Sequence, residues 1–459
     1  MTLWTRSGLA GLACVVPVSL ALAQPLPTAE PEAVGMSSER LDRIDEAFGE
    51  AIEAGELSGA VIMVAREGRL VHSAALGERD PATGEPMAED SIFRIYSMTK
   101  PMVSVAAMIL MEEGTLALTD PVSKFLPEFA EMRVSVPATD AYGKTTHREV
   151  PAEREATVQD LLRHTAGLAY GELTANPVVQ EAYAAAGAYN PGDMAFDARG
   201  VSPDEQVAGL AEAPLVHQPG TAWEYSLASD VLGRVVERAA GEPLDAFLEA
   251  RVFGPLGMEA TGFHVPQNAL SRLAEAPATD PATGAPIEMI DVSSEPANAS
   301  GGAGAVSTAG DYLRFSQMLL EGGALEGARI LSPTTVRLMA SDHLGERIEA
   351  AVTPGELLMG VPGYTFGLGF MVREGPGIAG VPGSEGEFMW AGYGGTFFWI
   401  DPVEELAAVL MTQRPGPTRA HYRRLIKQLV HAAITDSAVD GAVSEGAAED
   451  DDTAQLSSD

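Results

Sequence analysis

The sequence predicts an α/β protein whose antiparallel sheet is built from both ends of the chain, flanked by helices and interrupted by a mainly helical insertion. Three observations predict it. A helical pattern followed by two strand patterns opens the chain after its first segment, and strand patterns followed by a helix close it. Most of the turns between them are too short for parallel crossovers, so neighbouring strands pair antiparallel. The stretch from about residue 121 to 298 reads as helices and loops rather than alternating strands.

Residues 1–23 have Arg6 as their lone base, an apolar run from Gly8 to Ala23, and Ala21-Leu22-Ala23 before Gln24. This is the pattern of a cleavable signal peptide and predicts a periplasmic or secreted protein. A lipid anchor at Cys14 fits less well, because the position three before it is Gly11 rather than Leu. Residues 24–120 form the first part of the α/β domain. Ser37 or Ser38 caps a helix that places Leu41, Ile44, Phe48 and Ile52 on one stripe and stops at Gly55; strands Ala60 to Val64 and Arg69 to Leu76 follow around Glu67-Gly68. After the insertion (121–298), residues 299–435 complete the domain with strands Thr365 to Val372, Thr396 to Ile400 and Leu406 to Thr412 and a helix from Arg419 to Ile434. The two terminal helices are expected on one face of the sheet. Residues 436–459 carry eight acids, from Asp436 to Asp459, without a base, and read as a disordered tail.

Composition removes several functions. With 29 Lys and Arg against 65 Asp and Glu, the formal charge of -36 opposes a broad basic face for nucleic acid or anionic lipid. No stretch after the leader approaches the roughly 18 consecutive apolar residues of a membrane span, so no stable insertion is expected. The only cysteine, Cys14, lies in the leader, which excludes an intrachain disulfide, a Cys-rich zinc knuckle and a catalytic thiol. Nothing in the sequence sets an oligomeric state.

The chemistry-bearing candidate is Ser97-Met98-Thr99-Lys100, directly before an apolar run from Pro101 to Met111 that reads as a buried helix. Pro101 is best tolerated in a first turn, which puts Ser97 at or beside the helix N-terminus, where unpartnered N–H groups can hold an oxyanion. A spacing of three brings the Ser97 hydroxyl and the Lys100 amine to one face, where a proton can pass between them. The same spacing is also met by a helix cap beside a solvated lysine, though a cation at the positive end of a helix is poorly placed. Rival signatures fail on reading. There is no G-x-S-x-G elbow and no H-E-x-x-H, and Gly143-Lys144-Thr145 lacks the glycine of a phosphate loop because Ala138 stands there. His164 has no carboxylate at a telling spacing and is read as a hydrogen-bonded structural histidine.

Several stretches together resemble one family, the serine hydrolases related to β-lactamases, which include class C β-lactamases, penicillin-binding D-Ala-D-Ala peptidases, D-amino-acid peptidases and family VIII carboxylesterases. They are Phe93 to Pro101, Leu118 to Val122, the His164 segment, Pro219 to Ser226, and Gly301-Gly302-Ala303-Gly304 running into Ser307 to Asp311. The resemblance implies the β-lactamase/transpeptidase-like fold, with Ser97 as nucleophile, Lys100 beside it, and Tyr225 of Tyr225-Ser226-Leu227 taking the serine proton. Tyr225 directly precedes an amphipathic helix bearing Leu227, Val231, Leu232 and Val235. The Lys-Thr-Gly of the lactamases is missing. Its counterpart is Trp390-Ala391-Gly392, similar to the Trp-Gly-Gly of family VIII esterases, so Trp390, Ala391 and Gly392 are expected to bind substrate. The loss of that cation removes a partner for a lactam carboxylate. The Ser97 and Tyr393 N–H groups are expected to form the oxyanion hole.

These residues predict an exported esterase working through an acyl-enzyme on a small-molecule ester, with no metal or cofactor. The rivals are a β-lactamase or D-amino-acid peptidase using the same serine on an amide, and a catalytically silent protein that binds peptidoglycan fragments or peptides.

Overall fold

The computed structural model describes residues 25–188 and 197–437. The expected signal peptide, and the tail beyond Ser437, lie outside the described residues. Helix α1 (Ser38–Glu53) begins where Ser37 accepts a hydrogen bond from the Arg40 N–H and buries Leu41, Ile44 and Phe48. Strands β1 (Gly59–Arg66) and β2 (Arg69–Asp80) are joined by Glu67 (φ +51°) and Gly68 (φ +72°), the left-handed pair of a two-residue hairpin. β1 is buried at every position, which explains why it reads as an unbroken apolar run. A two-residue edge strand, β3 (Glu85–Pro86), follows.

Helix α2 (Thr99–Glu112) and, within the insertion, helix α3 (Ala228–Ala240) precede α4 (Ala309–Leu320), capped by Thr308. The chain then returns to the sheet as β4 (Tyr364–Phe366), β5 (Met371–Arg373), β6 (Phe388–Ala391), β7 (Phe397–Asp401) and β8 (Leu406–Thr412), and ends in α5 (Arg419–Ala433). The eight strands run β4-β5-β6-β7-β8-β1-β2-β3 with antiparallel pairing throughout. The two chain ends therefore meet at the β8–β1 seam, from Ala60 opposite Thr412 to Arg66 opposite Leu406. α1 and α5 cover one face, with the Phe48 and Tyr422 rings 5.8 Å apart, while α4 lies on the other, with Tyr312 on Phe398 at 4.8 Å. Among the described residues no helix is long and apolar enough to cross a membrane.

Two local readings need correction. Thr365 to Val372 is not one strand but the hairpin β4–β5, folded at Gly367-Leu368-Gly369, where the Gly367 N–H bonds Phe370 O at 2.8 Å. Gly369 has φ +91° and lies so close to α2 that a Cβ would overlap the Ser104 side chain. The glycines admit a turn that the continuous apolar pattern conceals. The insertion holds the expected helices, yet it also holds a hairpin of Arg133–Thr139 and Thr145–Pro151 with Tyr142 exposed in its turn. Val134, Val136 and Ala138 do alternate in the first strand, but Pro137 interrupts it as a strand signal and the partner Thr145–Pro151 has no such alternation, so the pair is not evident as a hairpin. Beyond α5, the Asp436 carbonyl still accepts from Arg66 at 2.5 Å and Ser437 bonds Glu404 at 2.6 Å, so the first two residues of the acidic segment are packed on the sheet edge.

Under α5, Glu387 is fully buried between Lys427 (2.5 Å) and Arg373 (3.1 Å). Asp401 and His431 converge on the same carboxylate. Burial and then the Lys427 charge hold His431 well below its ordinary range, so it stays neutral. This network ties α5 to β5 and β6. Lys427→Met, which removes one cation from a buried carboxylate, is expected to lower stability by about 3 kcal/mol, read as a shift of the urea midpoint with unchanged slope.

Candidate active site

Ser97 sits in a short 3₁₀ turn, Tyr96–Met98, that feeds α2. Tyr96 before it has φ +45°, a left-handed conformation that costs a non-glycine residue energy and is held by its surroundings. Three bonds fix the turn. The Thr99 hydroxyl donates to Tyr96 O (2.6 Å) and accepts from the Ala305 N–H (3.1 Å), and the Tyr312 hydroxyl donates to Met98 O (2.8 Å). α2 itself is buried from Thr99 to Leu110, as its all-round apolar sequence requires.

Lys100 is only 1% exposed, and its Nζ donates to three oxygens: Gly302 O at 2.7 Å, the Tyr170 hydroxyl at 2.9 Å and Ser97 Oγ at 3.2 Å. That accounts for all three ammonium donors. Gly302 reaches this place because it lacks a side chain, since a Cβ would overlap the Asp230 carboxylate. Asp230, buried on α3, accepts from the Gly302 N–H (3.2 Å) and the Ser300 hydroxyl (2.6 Å). The neighbouring Gly301 is pressed against Ser229 O in the same way. The glycine-rich segment is thus a close-approach device that delivers one carbonyl to Lys100.

Tyr225, just before α3, lies on the other side of the serine, with its hydroxyl 2.6 Å from Ser97 Oγ and its ring 4.8 Å below Lys100 Nζ. An aromatic cluster sets the ring: Tyr170 and His164 at 5.1 Å and Trp390 at 5.4 Å, with Phe366 packed on His164 and Trp390. His164 Nδ1 bonds the Ser226 hydroxyl at 3.1 Å. Burial, and then the Lys100 charge, hold its imidazole well below the ordinary range, so it is a neutral support for the Tyr225-Ser226 segment. Tyr170 is a phenol pushed well above its usual range by burial and by Tyr225 beside it, so it serves Lys100 as a neutral acceptor.

Ser97, Tyr225, Trp390, Ala391, Gly392 and Tyr393 line one cleft of about 360 Å³, with Lys100 beneath it. Trp390 contributes a packed wall rather than a projecting group: it is 1% exposed, and its indole N–H has no hydrogen-bond partner among the described residues. The segments bearing Ser97 and Tyr393 touch, because a Cβ at Gly392 would overlap Ile95 O and one at Gly394 would crowd the Tyr96 ring at 3.2 Å. Tyr170, Glu172, Leu173, Leu357, Leu358, Arg419 and Arg423 complete the cleft and belong to no sequence motif. The Gly301-Gly302 pair is marked in the sequence only through the family resemblance, and two adjacent glycines do not name the partner they approach.

Comparison with known proteins gives the family. A family model described as Beta-lactamase matches residues 44–432. The chain is 39% identical over 381 residues to Protein Rv1367c of Mycobacterium tuberculosis, covering 81% of this chain and 90% of that one. It is 33% identical over 393 residues to Esterase EstB of Burkholderia gladioli, covering 81% and 89%. Among solved structures, EstCE1, described as a hydrolase with promiscuous acyltransferase activity, superposes with a TM-score of 0.69 at 28% identity, over 85% of this chain and 98% of that one. Fold and site define a serine hydrolase of the β-lactamase-related type. The chain belongs to the Beta-lactamase family and stands near its family VIII esterases.

Gly302→Ala tests the delivery of that carbonyl. The added methyl displaces Gly302 O from Lys100, and the labelling rate of Ser97 by a fluorophosphonate is expected to fall about 100-fold while the circular dichroism spectrum stays native.

Proposed function

We propose that the protein is an exported carboxylesterase that works through an acyl-enzyme on Ser97. The observation that carries this reading is Ser97 Oγ held between Tyr225 OH (2.6 Å) and Lys100 Nζ (3.2 Å) at the cleft wall formed by Trp390. Ser97 Oγ attacks the ester carbonyl while its proton passes to Tyr225, acting as phenolate. Lys100, with its donors on Ser97, Tyr170 and Gly302 and its charge above the Tyr225 ring, holds the serine and offsets the charge on Tyr225. The Ser97 and Tyr393 N–H groups receive the oxyanion. Tyr225 then protonates the leaving alcohol as the C–O bond breaks. Water then gives a proton to Tyr225 as it attacks the acyl carbonyl, and Tyr225 passes that proton to Ser97 Oγ as the acyl–oxygen bond breaks, which releases the free acid and restores both the serine and the phenolate.

Trp390 supports esters over lactams, because the position lacks the cation that would meet a lactam carboxylate. The esterase EstB and the hydrolase EstCE1 support the same class, and the promiscuous acyltransferase activity of EstCE1 favours a further reading in which an alcohol replaces water and accepts the acyl group. The N-terminal 23 residues support export. The substrate is a small molecule, and no step calls on a metal or cofactor.

The mature protein, Ser97→Ala and Tyr225→Phe are to be assayed on p-nitrophenyl acetate, butyrate and octanoate beside a chromogenic cephalosporin and a D-alanyl amide. Ser97→Ala is expected to lose roughly 10⁴-fold or more in ester kcat/KM, and Tyr225→Phe about 10³-fold. Undiminished activity of Ser97→Ala contradicts the assignment. Faster cephalosporin or amide turnover selects the lactamase or peptidase rival, and silence on every substrate selects the binding protein.

A further inference from the structure

Two consecutive carbonyls at the cleft, those of Gly392 and Tyr393, are each held by a guanidinium from α5. Arg423 Nη2 donates to Gly392 O at 2.9 Å and its Nη1 to Leu358 O at 2.9 Å. Arg419 Nη1 donates to Tyr393 O at 2.9 Å and its Nε to Gly416 O at 2.7 Å. Arg423 is 4% exposed, and among the described residues neither arginine forms an ion pair with a carboxylate. Burial and the adjacent Arg419 charge both work against the Arg423 cation. The Gly395 N–H also donates to Gly392 O at 3.2 Å, so a neutral donor already closes this turn, and two cations side by side without a counter-ion cost more than anchoring requires.

Their direction explains the expense. A trans peptide is planar, so its C=O and N–H point to opposite sides. Gly392 O is shared between Arg423 and the Gly395 N–H, so the N–H of the same peptide, that of Tyr393, points the opposite way, on the side of the cleft that Tyr393 lines with Ser97. Contact of Gly392 with Ile95 and of Gly394 with the Tyr96 ring keeps that peptide beside the nucleophile. A cation on the carbonyl also polarises the amide and strengthens its N–H as a donor.

We propose that Arg423, assisted by Arg419, is a positioning residue for the oxyanion-binding N–H of Tyr393. This rests on the esterase reading and goes beyond it, since neither arginine touches the substrate in the role assigned. An acyl-enzyme formed from p-nitrophenyl pivalate with a ¹³C carbonyl gives an isotope-edited infrared band that reports hydrogen bonds to the acyl oxygen. In the wild-type protein the band is expected below that of the denatured acyl-enzyme. In Arg423→Met it is expected to move back toward the denatured position, with kcat down about 100-fold to 1000-fold and KM within about threefold. Arg423→Lys, which keeps a cation near the carbonyl, is expected to recover at least about tenfold of that loss, and Arg419→Gln to cost about tenfold.

An unshifted band in Arg423→Met, or a rise in KM with kcat unchanged, overturns the proposal and leaves the esterase reading standing. Failure of the wild-type protein to form any acyl band overturns both. Should Arg423→Met not fold, Arg423→Lys and Arg419→Gln decide by the same two readouts: a partial band shift with a kcat loss supports the proposal, and an unchanged band overturns it.

Discussion

A buried lysine ammonium organises this molecule. Lys100 is cut off from water, and a cation there is tolerated only if each of its donors finds an oxygen. The three oxygens come from three parts of the chain: Ser97 on its own turn, Tyr170, and Gly302. Satisfying one side chain thus draws segments 70 and 202 residues further along the chain to a common point. The left-handed Tyr96, the missing side chain at Gly302 and the carboxylate of Asp230 all follow from that demand.

The same demand divides the roles in the mechanism proposed above. With its donors engaged, Lys100 is assigned to hold Ser97 and carry charge, and the short contact from Ser97 to Tyr225 is the proposed path for the proton. His164, which lies between Tyr225 and Phe366, is kept neutral by burial and by Lys100, and so contributes shape rather than acid–base chemistry. Trp390 faces the same side as Tyr225 because β6 alternates its side chains: Met389 pairs with Trp399, whose ring stacks on His431 of α5, while Trp390 pairs with Phe398 and packs toward the serine. An apolar wall at that place gives a cleft without a fixed cation from the third motif, which suits an uncharged ester.

Much of this was legible from residue order. Local signals worked where the cause is local: Ser37 as a cap, Glu67-Gly68 as a turn, Ser97 and Lys100 at a spacing of three before a buried helix. The Tyr225 and Trp390 positions were reached only through resemblance to a family, because nothing nearby in sequence ties a tyrosine 128 residues from Ser97 to its hydroxyl. Tyr170, the Gly302 carbonyl, Asp230 and the two arginines of α5 stayed hidden for the same physical reason: their roles are contacts across long separations, and tyrosine, glycine and arginine are common core or surface residues. The β4–β5 hairpin stayed hidden because period-two alternation continues through its glycines.

The most direct test of the account is to locate the acyl group. Wild-type protein quenched in acid during turnover of p-nitrophenyl butyrate, digested and analysed by mass spectrometry, is predicted to carry a butyryl group on Ser97. Steady turnover with the acyl group on another residue, or with no acyl-protein under conditions where release is rate-limiting, would contradict it.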